Sequence, residues 1–149
     1  MAGHAFLKLS GLDGESTDSE HSGWIELTNF TFTLTKKEYS SDGESQKSKK
    51  DATISDVTVS KIVDDASPKL ATASCTKQTF FSAKVELCRS GSTSGLSTYM
   101  TYEMENAFIK SYNVTGGSAY GVETITFGLG AMKWKHEGGG QGEFVNVKE

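Results

Sequence analysis

The sequence predicts a mainly β fold, closed as a barrel or sandwich, with one short helix set into it. Three observations carry that reading. Apolar side chains alternate along about six or seven separate runs, as they do in half-buried strands. One run, Ser97 to Thr115, keeps its alternation unusually long, with Met100, Tyr102, Met104, Phe108, Tyr112 and Val114 all at even positions. Fully extended it would reach roughly 60 Å, so it must bend, serve two sheets or wrap a barrel. The helix signal is confined to one stretch. Ser67 reads as the cap, Pro68 suits the first helical position, and Leu70, Ala71 and Ala73 follow as helix formers. Closure fits such a chain because it removes the edges that would pair with neighbours.

The elements follow in order. Ala5, Leu7 and Leu9 alternate against Phe6 and Lys8 in the opening strand, and an acidic, turn-rich connection runs from Gly11 to Ser22. From Trp24 to Leu34 the pattern is β but changes phase. Ile25 and Leu27 share one face and Phe30, Phe32 and Leu34 the other, which requires a bulge near Thr28-Asn29. Residues 36–51 are polar and lysine-rich with mixed charge, long for a hairpin loop and therefore a functional or disordered segment. Ile54 to Val63 returns to strand. After the helix, Pro68 to Lys77, the residues Ala83, Val85 and Leu87 alternate again. The last long strand, Val122 to His136, shifts phase at Gly128 and Gly130, as a barrel corner would. Residues 137–149 read as a glycine-rich, loosely held tail in which Phe144, Val145 and Val147 could add a short strand.

The chain has 149 residues, which suits a single domain spanning 1–149 with a sizeable core. A formal charge of −4 argues against non-specific nucleic-acid binding, which needs a basic field. No run of about 20 apolar residues spans a bilayer, and the N-terminal residues lack a secretory signal pattern. The expectation is synthesis in the cytoplasm and, if the protein leaves the cell, export without a cleaved leader. Cys75 and Cys88 lack metal-type spacing. They read as buried free thiols, with a bridge as the alternative.

No catalytic constellation is evident. His4, His21 and His136 read as rim or surface histidines, none paired with another at ligand spacing. Asp13, Glu15, Asp18 and Glu20 lack the pattern of a calcium loop and read as a solvated connection. Ser74-Cys75-Thr76-Lys77 matches S-x-x-K without its companion motifs, and the glycines from Gly138 onward have no helix behind them to hold phosphate. No catalytic, cofactor or metal residue is assigned.

Several residues carry a family likeness. Phe6-Leu7-Lys8-Leu9 followed by Gly11-Leu12-Asp13-Gly14-Glu15-Ser16 resembles an opening strand and G-x-x-G-E-S turn. His21 with Trp24-Ile25-Glu26-Leu27 resembles H-x-x-W-I-E-[VL]. Val59-Ser60-Lys61, Asp64 and Ser67-Pro68-Lys69-Leu70 resemble a strand-to-helix stretch. Together they resemble the haemolysin-coregulated protein (Hcp) family, the tube subunits of bacterial type VI secretion systems. The sequence departs from the family pattern after Phe30 and in its lysine-rich loop.

The resemblance implies a closed β-barrel of two packed antiparallel sheets with one short flanking helix and a long protruding loop. It implies homohexameric rings that stack into a hollow tube inside a contractile sheath, a spike protein of the VgrG type at the tip, and effector proteins in the lumen. It implies neither enzyme activity nor cofactor, and neither nucleic-acid binding nor membrane insertion. The loop, with Lys36, Lys37, Glu38, Lys47, Lys49 and Lys50, is expected to dock on the next ring. The helix, with Lys69, Thr72, Ser74 and Lys77, is expected near the lumen or a subunit contact. The competing readings are a phage-like contractile tail-tube subunit and a monomeric secreted effector or carbohydrate-binding barrel. In the latter, Trp24, Tyr39, Tyr99 and Trp134 would stack on sugar.

Overall fold

The computed structural model describes residues 3–36, 52–54, 56–90, 95–117 and 119–145. The main sheet contains β1 (Gly3–Leu9), β2 (Ile25–Leu27), β3 (Asn29–Thr31), β6 (Val57–Ile62), β7 (Thr79–Ser90), β8 (Leu96–Thr115) and β9 (Val122–Gly128). A separate pair, β4 (Leu34–Lys36) and β5 (Ala52–Ile54), brackets the long polar loop. The helix α1 spans Ser67–Cys75, and β10 (Ala131–His136) and β11 (Gln141–Val145) follow β9. The tail thus contributes a strand, as Phe144 and Val145 suggested.

The strand order is β2-β1-β7-β8-β9-β6-β3, with every neighbour antiparallel. Its first and last members are consecutive in sequence and separated only by Thr28. The Thr28 N–H donates to the Ser60 carbonyl at 2.7 Å as the chain passes from β1 to β6. One run therefore supplies both edges, and the sheet closes on itself as a barrel. The phase change read between Leu27 and Phe30 is the point of closure. Ile25 and Leu27 are buried against β1's side of the core, and Phe30 and Phe32 pack against it from β6's side.

The core is filled by inward residues of every barrel strand, among them Leu7, Ile25, Val59, Phe80, Val85 and Phe127. Helix α1 adds Leu70 and Ala73, with Ala66 before it. Phe30, Phe32, Tyr102 and Trp134 extend the core as an aromatic group, with centroid separations of 5.2 Å from Tyr102 to each phenylalanine.

The long strand behaves as its length demands. One edge of β8 runs along β7, while the other pairs first with β10 and then with β9. The change of partner falls at Asn106, whose φ of 55° is left-handed. Gly130 N–H donates to the Glu105 carbonyl at this corner, 2.9 Å away. The even-numbered face does not stay inward. Met104 is buried, but beyond Asn106 the buried residues are Ala107 and Ile109, and Phe108 turns outward. A register shift between Ile109 and Ser111 restores the original phase at Tyr112.

Ser67 is not the helix cap. Ala66 holds that position with no side-chain cap bond, and Pro68 lies in the first turn. Asp64 organises the entry instead. Its Oδ1 accepts from the Ala66 N–H at 2.9 Å, while its own N–H donates to Ser67 Oγ at 2.9 Å, a reciprocal pair like a capping box placed before the helix. Both cysteines are free, but only Cys88 is buried. Cys75 ends α1 in an exposed position.

Candidate functional site

Two buried polar clusters stand where the sequence reading expected only core or solvent. The first lies at the entry to α1. Lys61 and Glu123 are register partners on β6 and β9, both fully buried, with Nζ and Oε1 2.6 Å apart. Lys61 Nζ also donates to Asp64 Oδ1 at 2.7 Å and to the Ile62 carbonyl at 3.0 Å. Tyr112 on β8 donates its hydroxyl to Glu123 Oε2 in a short hydrogen bond. Burial pushes the Tyr112 phenol well above its ordinary range, with the bond to Glu123 and that residue's charge adding to the effect. The cluster joins three strands to the helix entry and leaves no described buried side-chain polar atom without a partner.

The second cluster sits on the outer face of β1 and β7. Phe6 points away from the barrel core, and the acidic connection folds back over it. His21 stacks on Phe6 with ring centroids 4.2 Å apart, and Trp24 meets His21 at a near-perpendicular angle with centroids 4.8 Å apart. His21 Nδ1 lies 2.7 Å from Asp18 Oδ2, and Nε2 lies 2.7 Å from Glu86 Oε1. Cys88 Sγ is 3.8 Å from Nε2 and 3.3 Å from Thr98 Oγ1. His21 is only 1% exposed, so the surface reading of this histidine is overturned. The acidic connection is likewise not simply solvated, since Asp18 serves the cluster and Glu15 Oε2 accepts the Asp65 N–H at 2.6 Å. The hydrogen bond to His21 holds the Asp18 carboxyl below its usual range. Burial pushes the Cys88 thiol up, with the charges of Glu86 and Asp18 adding to it against the Thr98 hydrogen bond.

The residues expected to carry assembly fall differently. Lys69, Thr72 and Lys77 are exposed on or just past α1. Lys69 and Thr72 line a shallow hollow with Gly11, Leu12, Pro68 and Gln78. Ser74 is half-buried and donates its hydroxyl to the Ala71 carbonyl at 3.0 Å. Lys36 ends β4 opposite Ala52, whereas Lys37, Glu38, Lys47, Lys49 and Lys50 lie outside the described residues. Among the aromatics weighed for sugar stacking, Trp134 packs on the core and Trp24 on His21. Tyr99 lies under Arg89, and Tyr39 is outside the described residues.

A model of the family described as "Type VI secretion system effector, Hcp" matches residues 6–136. The chain belongs to the Hcp family. Among solved structures, the chain is similar to one described as a type six secretion system protein. The two are 30% identical with a TM-score of 0.76, covering 96% of this chain and 92% of that one. Hcp1 from Salmonella typhimurium matches at 20% identity and a TM-score of 0.77, with 96% and 93% covered. Hcp3, a secreted protein from Pseudomonas aeruginosa, matches at 17% identity and 0.79, with 99% and 100% covered. The last two likenesses speak for the fold alone. No curated protein matches the chain. Membership accounts for the barrel and the flanking helix, and it makes this a type VI secretion Hcp protein. Among the described residues, no helix is long and apolar enough to cross a membrane.

Proposed function

We propose that this Hcp protein is the structural subunit of the type VI secretion inner tube. Six copies close into a ring, rings stack into a hollow tube, and effectors ride in the lumen until tube and cargo are expelled together. A VgrG-type spike caps the tube and a contractile sheath drives it. The protein itself starts in the cytoplasm and leaves the cell with the tube. The observation that carries this reading is the family match across residues 6–136.

The surface of the protomer supports it. Ile62, Val63, Tyr120 and Val122 are large apolar side chains left exposed around one end of β6 and β9, and Phe81 and Phe108 stand out on the β7–β8 face. A lone protomer gains nothing from such patches, whereas a ring covers them. The closed barrel with a buried ion-pair cluster suits a stiff wall element. In this reading Lys36, Lys37, Glu38, Lys47, Lys49 and Lys50 make the wet, salt-sensitive contact to the next ring, and Lys69, Thr72, Ser74 and Lys77 face the lumen or a neighbouring subunit.

Negative-stain images of the purified protein test the proposal. Annular particles of uniform diameter are expected. A field of small, solid particles at high protein concentration and low salt would contradict it.

A further inference from the structure

The cluster on the outer face of β1 and β7 goes beyond tube assembly. We propose that His21 Nε2, Glu86 Oε1 and Cys88 Sγ form a binding site for a borderline-soft divalent transition-metal ion of the zinc class. Their ligand atoms all lie within 4.8 Å of one another. The nitrogen–sulfur separation of 3.8 Å is close to the edge of about 3.6 Å that a tetrahedral zinc site with ordinary bond lengths requires. The nitrogen–oxygen separation of 2.7 Å must open to about 3.4 Å, a shift within reach of the Glu86 side chain, which is 19% exposed.

The surroundings are those that metal sites use. The other ring nitrogen of His21 is held by a carboxylate, Asp18, which fixes the imidazole's orientation and aims Nε2 at the site. Phe6 and Trp24 wall the ring in, so it cannot swing away. The donor set of one imidazole, one thiolate and one carboxylate suits zinc rather than calcium or magnesium, which take oxygen. Three protein ligands leave a fourth position for water, with Thr98 Oγ1 beside both Glu86 Oε1 (3.1 Å) and Cys88 Sγ (3.3 Å). Glu86 also lines a cleft of 630 Å³ with Thr101, Lys84 and Trp134, so this ligand borders solvent while His21 and Cys88 lie buried beside it. On loading, the proton shared between His21 and Glu86 and the Cys88 thiol proton pass to solvent. The metal then carries two units of positive charge against the Glu86 carboxylate and the Cys88 thiolate.

The ligands come from chain segments far apart in sequence. Binding therefore pins the connection over residues 18–24 to β7 and should stabilise the protomer.

The test uses the full chain with no affinity tag, titrated with Co²⁺ and then with Zn²⁺. One Co²⁺ per chain is expected, with a near-ultraviolet thiolate-to-cobalt band that Zn²⁺ abolishes. The band should survive Cys75→Ser and vanish in Cys88→Ser, with folding of each variant checked by circular dichroism. Asp18→Asn, which keeps every ligand, should weaken binding about 10- to 100-fold. A raised melting temperature of the wild-type chain with Zn²⁺, absent in Cys88→Ser, is the second readout. Absence of the band in the folded wild-type chain, or its persistence in Cys88→Ser, would overturn the proposal.

Discussion

At the residue scale, the chain's largest gamble is a lysine and a glutamate with no exposed surface. Lys61 and Glu123 each had to be stripped of water, and their pairing offsets that cost only because Asp64, Tyr112 and the Ile62 carbonyl complete the hydrogen bonding. Lys61→Ala should therefore cost about 3–5 kcal/mol in denaturant unfolding, because it leaves a buried carboxylate without its cation. A loss under 1 kcal/mol would mean that water reaches Glu123. Tyr112 gives a pH signature. Its phenol is raised in the fold, so the folded chain holds its proton while the unfolded chain ionises near pH 10. Its contribution is fully present below about pH 10 and is lost as pH climbs beyond. Unfolding midpoints should fall steeply on that alkaline limb, and Tyr112→Phe should flatten the slope.

Both residues were legible in the sequence by phase. The alternation that buries Val57 and Val59 also points Lys61 inward, and that of Ile125 and Phe127 does the same for Glu123. A charge on an inward position was the available signal. His21 had no such signal, because its burial depends on a connection folding over the outer face of β1. Contacts of that kind leave no periodicity.

At the element scale, the G-x-x-G-E-S turn now has a physical account. A Cβ on Gly14 would stand 2.6 Å from the Trp24 carbonyl oxygen and 2.7 Å from the Ile25 Cα, both backbone atoms with no rotamer to escape into. Glu15 reaches across to the helix entry at Asp65, and Ser16 Oγ accepts the Asp18 N–H at 3.2 Å. Gly14→Ala should cost about 1–3 kcal/mol, read as a lowered denaturant midpoint. An unchanged midpoint would show that the turn can yield.

The phase change at Thr28 and the glycine corner after β9 were readable because a period of two cannot switch faces without an irregularity. The helix was readable in place but misread at its start. Ser67 follows the cap residue, and Asp64 does the work from three positions upstream. In β8 the residue types alternated while the buried face did not. Left-handed Asn106 turns the strand without interrupting the apolar pattern.

At the scale of the whole molecule, the barrel is complete without the long loop, since β4 and β5 pair with each other outside the main sheet. The loop can therefore be shortened without opening the barrel. Deleting 38–49 should leave the proposed hexameric ring intact and abolish stacked tubes, as seen by electron microscopy. Tubes that survive the deletion would remove the loop from the stacking contact. Fold class was plain from composition and alternation. The expected assembly came from the family resemblance and not from alternation, because a sequence shows which side chains are apolar but not which of them a neighbour would cover.

The most direct measurement is the native mass of the purified chain by light scattering. The ring predicts six times the 16.0 kDa of one chain in a single monodisperse species. A monodisperse 16.0 kDa particle at high concentration and low salt would contradict it.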